Sequence, residues 1–195
     1  LENRVAQTIV KNALEPHWEA RFESHSYGFR PGRSCHDAIE QCFVRLRHGC
    51  DTWVLDADLK SAFDNLNHSF ILETIGPVPG RELIKQWLKA GYVEAEMFHP
   101  TLEGAPQGGP ISPLLLNIAL NGMEDLLLSL TTTRTYQPSS KAKSQAPRKR
   151  TSTTYGYCRY ADDLVVTAKT KADIEAVVPL LQAWLKPRGL ELNMD

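Results

Sequence analysis

Apolar positions along the chain recur with two periods, and the changes from one to the other mark its elements. Over residues 2–22, Val5, Ile9, Val10 and Leu14 stand at helical spacing, and Pro16 breaks or restarts that helix. Ser34 is suited to cap a second helix that runs to Arg47 and is closed by Gly49. From Thr52 to Leu59 the pattern becomes that of a strand. Trp53, Val54 and Leu55 lead into Asp56-Ala57-Asp58-Leu59, and the period of two sets both aspartates on one face. Phe63 and Asp64 read as a tight turn, and His68 with Ser69 opens a helix in which His68 is a cap or surface residue. A short helix over 80–90, ended by Gly91, a strand from Tyr92 to Phe98 and a loop from Gly104 to Gly109 follow. Ser112 and Pro113 then begin LLLNIALNGMEDLLLSL, which is apolar almost all round and predicts a single central helix packed on a sheet. Tyr155–Tyr160 and Leu164–Ala168 are strand-like arms on either side of Ala161-Asp162-Asp163, which has the chemistry of a hairpin turn. An amphipathic helix over Lys171–Lys186 and a last short strand in GLELNMD complete the pattern. Residues 131–154 follow neither period. They carry six basic residues, no acidic ones and almost nothing to pack, and read as a disordered or flexible insert.

Composition changes this picture little. A chain of 195 residues is one domain, or part of a larger one, with enough length to bury a core. The net charge of −1 means that any basic surface for a polyanion is local. No apolar run approaches the roughly 20 residues of a membrane span, and no signal-peptide pattern is present at the start. Cys35, Cys42, Cys50 and Cys158 form no C-x-x-C pair and suggest reduced thiols in a cytoplasmic setting, and the Cys35–Cys50 cluster with His36 and His48 has no zinc spacing.

Candidate chemistry comes from three separated segments. Asp162 and Asp163 are adjacent like charges, costly unless solvated or bound to a cation, and carboxylate oxygens suit hard divalent ions. Asp56 and Asp58 add a second acidic strand, for which salt bridges to Lys60 or an arginine are the structural alternative. Between them, GAPQGGPISPLLLN supplies Gln107, able to donate and accept, and Gly108 and Gly109, which permit close approach of a ligand. A plain structural loop is the competing reading there. Arg30 and Arg33 lie just before a helix N-terminus, a position suited to phosphate, although solvated loop arginines have the same pattern. The charge of the insert could track a nucleic-acid backbone or simply solubilise.

Taken together, SYGFRPGRS, DADLKSAFDNLNH, APQGGPISPLLLN and YADD resemble, in that order along the chain, the blocks of reverse transcriptases. The wording is closest to the group II intron type, and retron and CRISPR-associated relatives share much of it. The resemblance implies an α+β polymerase palm, a ferredoxin-like antiparallel sheet backed by helices. Residues 1–50 would be partial fingers and 51–195 the palm with its insert. It implies Asp58, Asp162 and Asp163 as catalytic, metal-holding carboxylates, with two Mg²⁺ ions, or Mn²⁺ in their place. It assigns Phe63 as the gate against the sugar 2′ position, Leu59, Gln107 and Gly108 to the incoming nucleotide, and Arg30 and Arg33 to the template strand. The implied reaction is RNA-directed DNA synthesis from dNTPs on an RNA template with a DNA primer, with intron RNA as a further partner. The family's triphosphate-gripping fingers block, its lysine after LELN and its thumb and maturase regions are not among these residues. Two functions are therefore expected: the catalytic core of a polymerase, or a non-catalytic, RNA-binding, maturase-like remnant.

Overall fold

The computed structural model describes residues 2–94, 97–99, 101–105, 108–136 and 148–193. Its main sheet has four antiparallel strands in the order β6-β7-β1-β8: β1 (Trp53–Leu59), β6 (Gly156–Tyr160), β7 (Asp163–Ala168) and β8 (Leu192–Asn193). Leu55, Ala57 and Leu59 of β1 and Leu164, Val166 and Ala168 of β7 point into the main core, as period two requires. Helix α8 (Lys171–Leu185), capped by Thr170, packs on β1 and β7 through Ile174, Val177, Leu181 and Leu185. Helix α2 (Cys35–Leu46) covers part of the other face, where Ala38 and Cys42 meet Cys158 and Val165. Its start is fixed by a capping box in which Ser34 and Asp37 satisfy each other's backbone amides. The β1 end of this second face stays open, and there Asp56 and Asp58 stand exposed.

Helix α1 (Glu2–Glu19) runs straight through Pro16 instead of breaking there. It buries Gln7, Val10, Leu14 and Trp18, so Val5 and Ile9 face solvent, contrary to the stripe read from spacing. After β1 come α3 (Ala62–Asn65), a helical turn in place of the expected tight turn, then α4 (His68–Ile75), α5 (Arg81–Leu88) and the hairpin β2 (Tyr92–Glu94) with β3 (Met97–His99).

The long apolar run is two helices, α6 (Ser112–Leu120) and α7 (Met123–Ser129), not one. Gly122, with φ of 99°, turns the chain between them, and the Glu23 carboxylate accepts from the N–H groups of Gly122 (2.7 Å) and Glu124 (2.6 Å). A carboxylate on those otherwise unpaired amides makes the break stable. Helix α6 is buried almost all round, as its sequence predicts; it lies against α1, α3 and α4 and shares one core with β1, β7 and α8.

The basic segment is also more ordered than its composition suggests. Thr131–Tyr136 (β4) and Arg148–Thr153 (β5) pair as an antiparallel ribbon separate from the main sheet. Residues 137–147 of the insert lie outside the described residues. Among the described residues no helix is long and apolar enough to cross a membrane.

Candidate active site

Strand register brings the acidic segments together. The last paired residues of β1 and β7 are Ala57 and Leu164. One further step along this antiparallel register sets Asp58 opposite Asp163, and β8 meets Asp58 from the other side through Asn193. Tyr160 pairs with Asp163, so the β6–β7 turn is the two residues Ala161 and Asp162. Ala161 takes the left-handed φ of 58° that such a hairpin turn needs. Asp56 and Asp58 alternate with the buried Leu55, Ala57 and Leu59, and the register puts Asp56 opposite Val165, on the face that also carries Asp163.

The carboxylates feel one another. Asp163 is held above its ordinary carboxylate value by partial burial first, then by the charges of Asp162, Asp58 and Asp56. Among the described residues, no three His, Cys, Asp or Glu side chains already stand around a common metal position. The donor set nevertheless fits a hard divalent cation: the donors are carboxylate oxygens, and their mutual repulsion is what a cation would relieve.

The hairpin tip is clamped from below. Arg159, 1% exposed, pairs with Leu164 and so lies on the core face, opposite the carboxylates. Its guanidinium donates from Nε to the Tyr157 hydroxyl (3.1 Å), from Nη1 to Asn117 Oδ1 (2.9 Å) and the Ala161 carbonyl (2.8 Å), and from Nη2 to Ser26 Oγ (2.7 Å). Asn117, on α6, uses its Nδ2 to donate to the Gly28 carbonyl at 2.9 Å. Glu23 supplies the opposite charge, and burial raises both its carboxyl and the Tyr157 phenol above their ordinary values. Tyr27 N–H donates to the Arg159 carbonyl and Arg159 N–H to the His25 carbonyl, both at 2.9 Å, which sews the 24–30 loop to β6.

The loop after β3 is fixed against α3. Ala105 N–H donates to the Phe63 carbonyl (2.6 Å), Gly104 N–H to that of Leu66 (2.8 Å), and His68 Nε2 to the Gly104 carbonyl (2.6 Å). A Cβ on Gly104 would lie 2.5 Å from the Asp64 carbonyl oxygen, so only glycine lets the loop sit so close. His68 is thus buried and bonded, neither a cap nor a surface residue; Asn67 is the cap of α4.

Of the residues singled out from sequence, Asp58, Asp162 and Asp163 come to one end of adjoining strands, and Phe63, on α3, is half-buried against the main core. Gly108 is exposed, and Gln107 lies outside the described residues. Leu59 is 3% exposed and faces the core, so only its backbone is on the acidic side of β1. Arg30 does not face outward to a phosphate. Arg30 is buried: it forks onto Glu19 from Nε (3.0 Å) and Nη2 (2.9 Å), and Nη1 donates to the carbonyls of Glu23 and Ser26. Arg33 donates to the carbonyls of Ser24 and Ser26 and lies over the Tyr27 ring. Both brace their own loop.

Sequence reasoning missed Arg159, Asn117 and Arg4. The first could have been suspected from an arginine two places after a tyrosine in an otherwise apolar strand. Arg4, on α1, carries its Nη2 within 3.7 Å of where a Cβ on Gly108 would stand, a cation beside the glycine loop.

Comparison with known proteins accords with this geometry. The whole chain, residues 1–195, matches the family described as reverse transcriptase (RNA-dependent DNA polymerase). It is 37% identical over its full length to Protein YkfC of Escherichia coli K12, covering 56% of that protein. Over 66% of the chain it is 38% identical to the group II intron-encoded protein LtrA of Lactococcus lactis, of which the match covers 22%. The chain thus spans about half the length of the first of these relatives and less of the second. Among solved structures, telomerase from Candida tropicalis superposes with a TM-score of 0.56 at 14% identity, over 98% of this chain and 35% of that one. Telomerase from Candida albicans, solved with a fragment of telomeric RNA, gives 0.55 at 12% identity, over 99% and 32%. These two likenesses concern the fold, an antiparallel sheet backed by helices. The chain belongs to the reverse transcriptase (RNA-dependent DNA polymerase) family.

Proposed function

We propose that this chain is the polymerising core of an RNA-directed DNA polymerase. It would extend a DNA primer on an RNA template by nucleotidyl transfer from dNTPs, with intron RNA as a further partner of the whole protein. The observation that carries this reading is the register of β1 and β7, which sets Asp58 against Asp163 beside Asp162 on an open face.

In the reaction the primer 3′-oxygen bonds to the α-phosphorus of the nucleotide, and the bond to the bridging oxygen breaks to release pyrophosphate. Reverse transcriptases use divalent metal ions; here Asp58, Asp162 and Asp163 would hold two Mg²⁺, or Mn²⁺ in their place. The chemistry such ions would supply, held by these carboxylates, is Lewis acidity toward the 3′-hydroxyl and charge neutralisation for the leaving group. The protein's own part is positioning. Arg159 and Asn117 fix the turn that bears Asp162. Phe63, held through its carbonyl by Ala105, would close the space at the sugar 2′ position. Gly108, with the Arg4 guanidinium near it, and Gln107, next in the sequence, would line the incoming nucleotide. Arg30 and Arg33 would serve the template strand indirectly, by shaping the loop they brace. The four cysteines are unpaired, which supports a reducing, cytoplasmic setting.

A second reading, an RNA-binding remnant without catalysis, is favoured by the β4–β5 ribbon. Its register aligns Arg134 with Arg150 and Tyr136 with Arg148, a run of cations suited to a phosphate backbone. Primer extension on an RNA template with Mg²⁺ and dNTPs, using the full-length protein that carries this chain, separates the two. Extension by the wild type and none by Asp58→Ala or Asp162→Asn is expected. Extension by either variant overturns the site, and RNA binding without extension by the wild type supports the remnant.

A further inference from the structure

Phe29 is placed where a phenylalanine gains the fold nothing. Its backbone is left-handed, with φ of 59°, a conformation that suits glycine or asparagine and costs a bulky residue. The residue is 53% exposed, so it is not there to fill the core. The strain is imposed from both sides. Before it, Gly28 is pressed against Ala161 and held through its carbonyl by Asn117. After it, Arg30 is buried and forked onto Glu19. Between two fixed neighbours, Phe29 has no freedom to relax.

What the ring does touch is Phe63. The two rings meet edge to face, with centroids 6.4 Å apart and planes at 70°, within the range of a favourable aromatic pair. Backbone strain held in place by its surroundings, and spent on an exposed aromatic contact, marks a functional position.

We infer that Phe29 is a specificity-determining residue: it backs the Phe63 ring and fixes the plane that this ring presents to the sugar of an incoming nucleotide. The inference rests on the reading of Phe63 as the 2′ gate. Phe63 is half-buried, with one side packed against the main core and its ring edge-to-face with Phe29. Without Phe29 the gate ring can turn, and the space that excludes a 2′-hydroxyl opens. The loop of residues 24–30 would then contribute to sugar selection as well as to shape, through a residue that contacts the gate and not the catalytic carboxylates.

The test is single-nucleotide insertion by the full-length protein, with a dNTP and the matching rNTP, for the wild type, Phe29→Ala, Phe29→Gly, Phe63→Ala and the double variant Phe29→Ala/Phe63→Ala. Glycine relieves the backbone strain while removing the ring, so Phe29→Gly keeps the test sound if Phe29→Ala folds poorly. Both Phe29 variants are expected to lower the dNTP-over-rNTP ratio of kcat/KM by about 10-fold, chiefly through a lower KM for the rNTP. Phe63→Ala lowers it further, and the double variant is no worse than Phe63→Ala alone, the non-additivity of residues that act through one contact. The Mg²⁺ concentration for half-maximal rate stays unchanged in Phe29→Gly.

An unchanged ratio in the Phe29 variants, with Phe63→Ala relaxed, overturns the inference alone. Equal losses for dNTP and rNTP also overturn it and put the ring on base or template instead. An unchanged ratio in Phe63→Ala removes the gate itself, and the inference with it.

Discussion

Gly28 and Ala161 touch backbone to backbone: a Cβ on Gly28 would lie 2.2 Å from the Ala161 nitrogen and 2.8 Å from its Cα. The contact joins the 24–30 loop to the turn that carries Asp162, so the position of this proposed catalytic carboxylate depends on a side chain that is missing. Gly28→Ala is expected to destabilise the chain by about 1–3 kcal/mol, the usual cost of forcing extra volume into a packed place. It should also lower primer extension by roughly 100-fold, because a shift near 1 Å at reacting groups has that effect. Urea unfolding and extension rates, measured side by side, check both. A stable, fully active Gly28→Ala protein would show that the turn does not depend on this contact.

Arg159 is a buried cation whose partners are neutral apart from Glu23. Arg159→Leu leaves Ser26 Oγ, Asn117 Oδ1 and the Ala161 carbonyl without their donor and Glu23 without its charge partner. The expected loss is about 3–5 kcal/mol, that of breaking a buried pair from one side. Arg159→Lys keeps the charge but cannot reproduce a fork spread over four partners, and should recover only part of the loss. Chemical denaturation of the three proteins orders them as wild type, lysine, leucine. Equal stability of lysine and wild type would mean that charge alone matters.

Asp163 makes a prediction in pH and metal. Its folded-state pKa lies above the unfolded value, because burial and the three neighbouring aspartates disfavour its charge. The stability it contributes is therefore present below the unfolded pKa, near 3.9, and is lost as pH rises through the raised folded value. Asp163→Asn should then raise Tm at pH 7 in metal-free buffer, by on the order of 1–2 °C for an exposed group in a chain of this size. The gain should vanish at low pH, where the native carboxyl is protonated. It should also shrink when Mg²⁺ or Mn²⁺ is added, since the wild type alone keeps the full set of oxygens. Thermal melts with and without metal at two pH values check this; a Tm gain that ignores both pH and metal would separate Asp163 from the acidic cluster.

Much of the acidic site was legible because it obeys local rules. Asp56 and Asp58 follow from period two, and Asp162 and Asp163 from turn chemistry between two strand-like arms. The supporting shell was not, because its logic is non-local. Nothing near Gly122 in sequence announces that Glu23, 99 residues away, will accept the Gly122 amide and divide the apolar run into two helices. Val5 and Ile9 fit a helical stripe, yet the buried face is the one through Gln7, Val10, Leu14 and Trp18, chosen by what α1 packs against. Arg30 and Arg33 look like phosphate contacts in a loop rich in glycine and proline. Only the fold reveals that carbonyls and Glu19 have already taken their hydrogen bonds. Composition misread the start and end of the basic segment for a related reason: threonine-rich strands can pair with each other without any core to bury.

That ribbon has a practical consequence. Thr131 pairs with Thr153, and Thr154 donates to the Leu130 carbonyl at 3.3 Å, so the chain leaves the core after α7 and re-enters before β6 at adjacent points. Its ends are zipped together at the base, and length added between its strands strains neither neighbour. Each doubling of such a loop costs only about 0.6 kcal/mol in closure entropy. The ribbon is a port in the fold: a place where a tag, a fluorophore or a foreign module can be spliced in without disturbing the hairpin that follows.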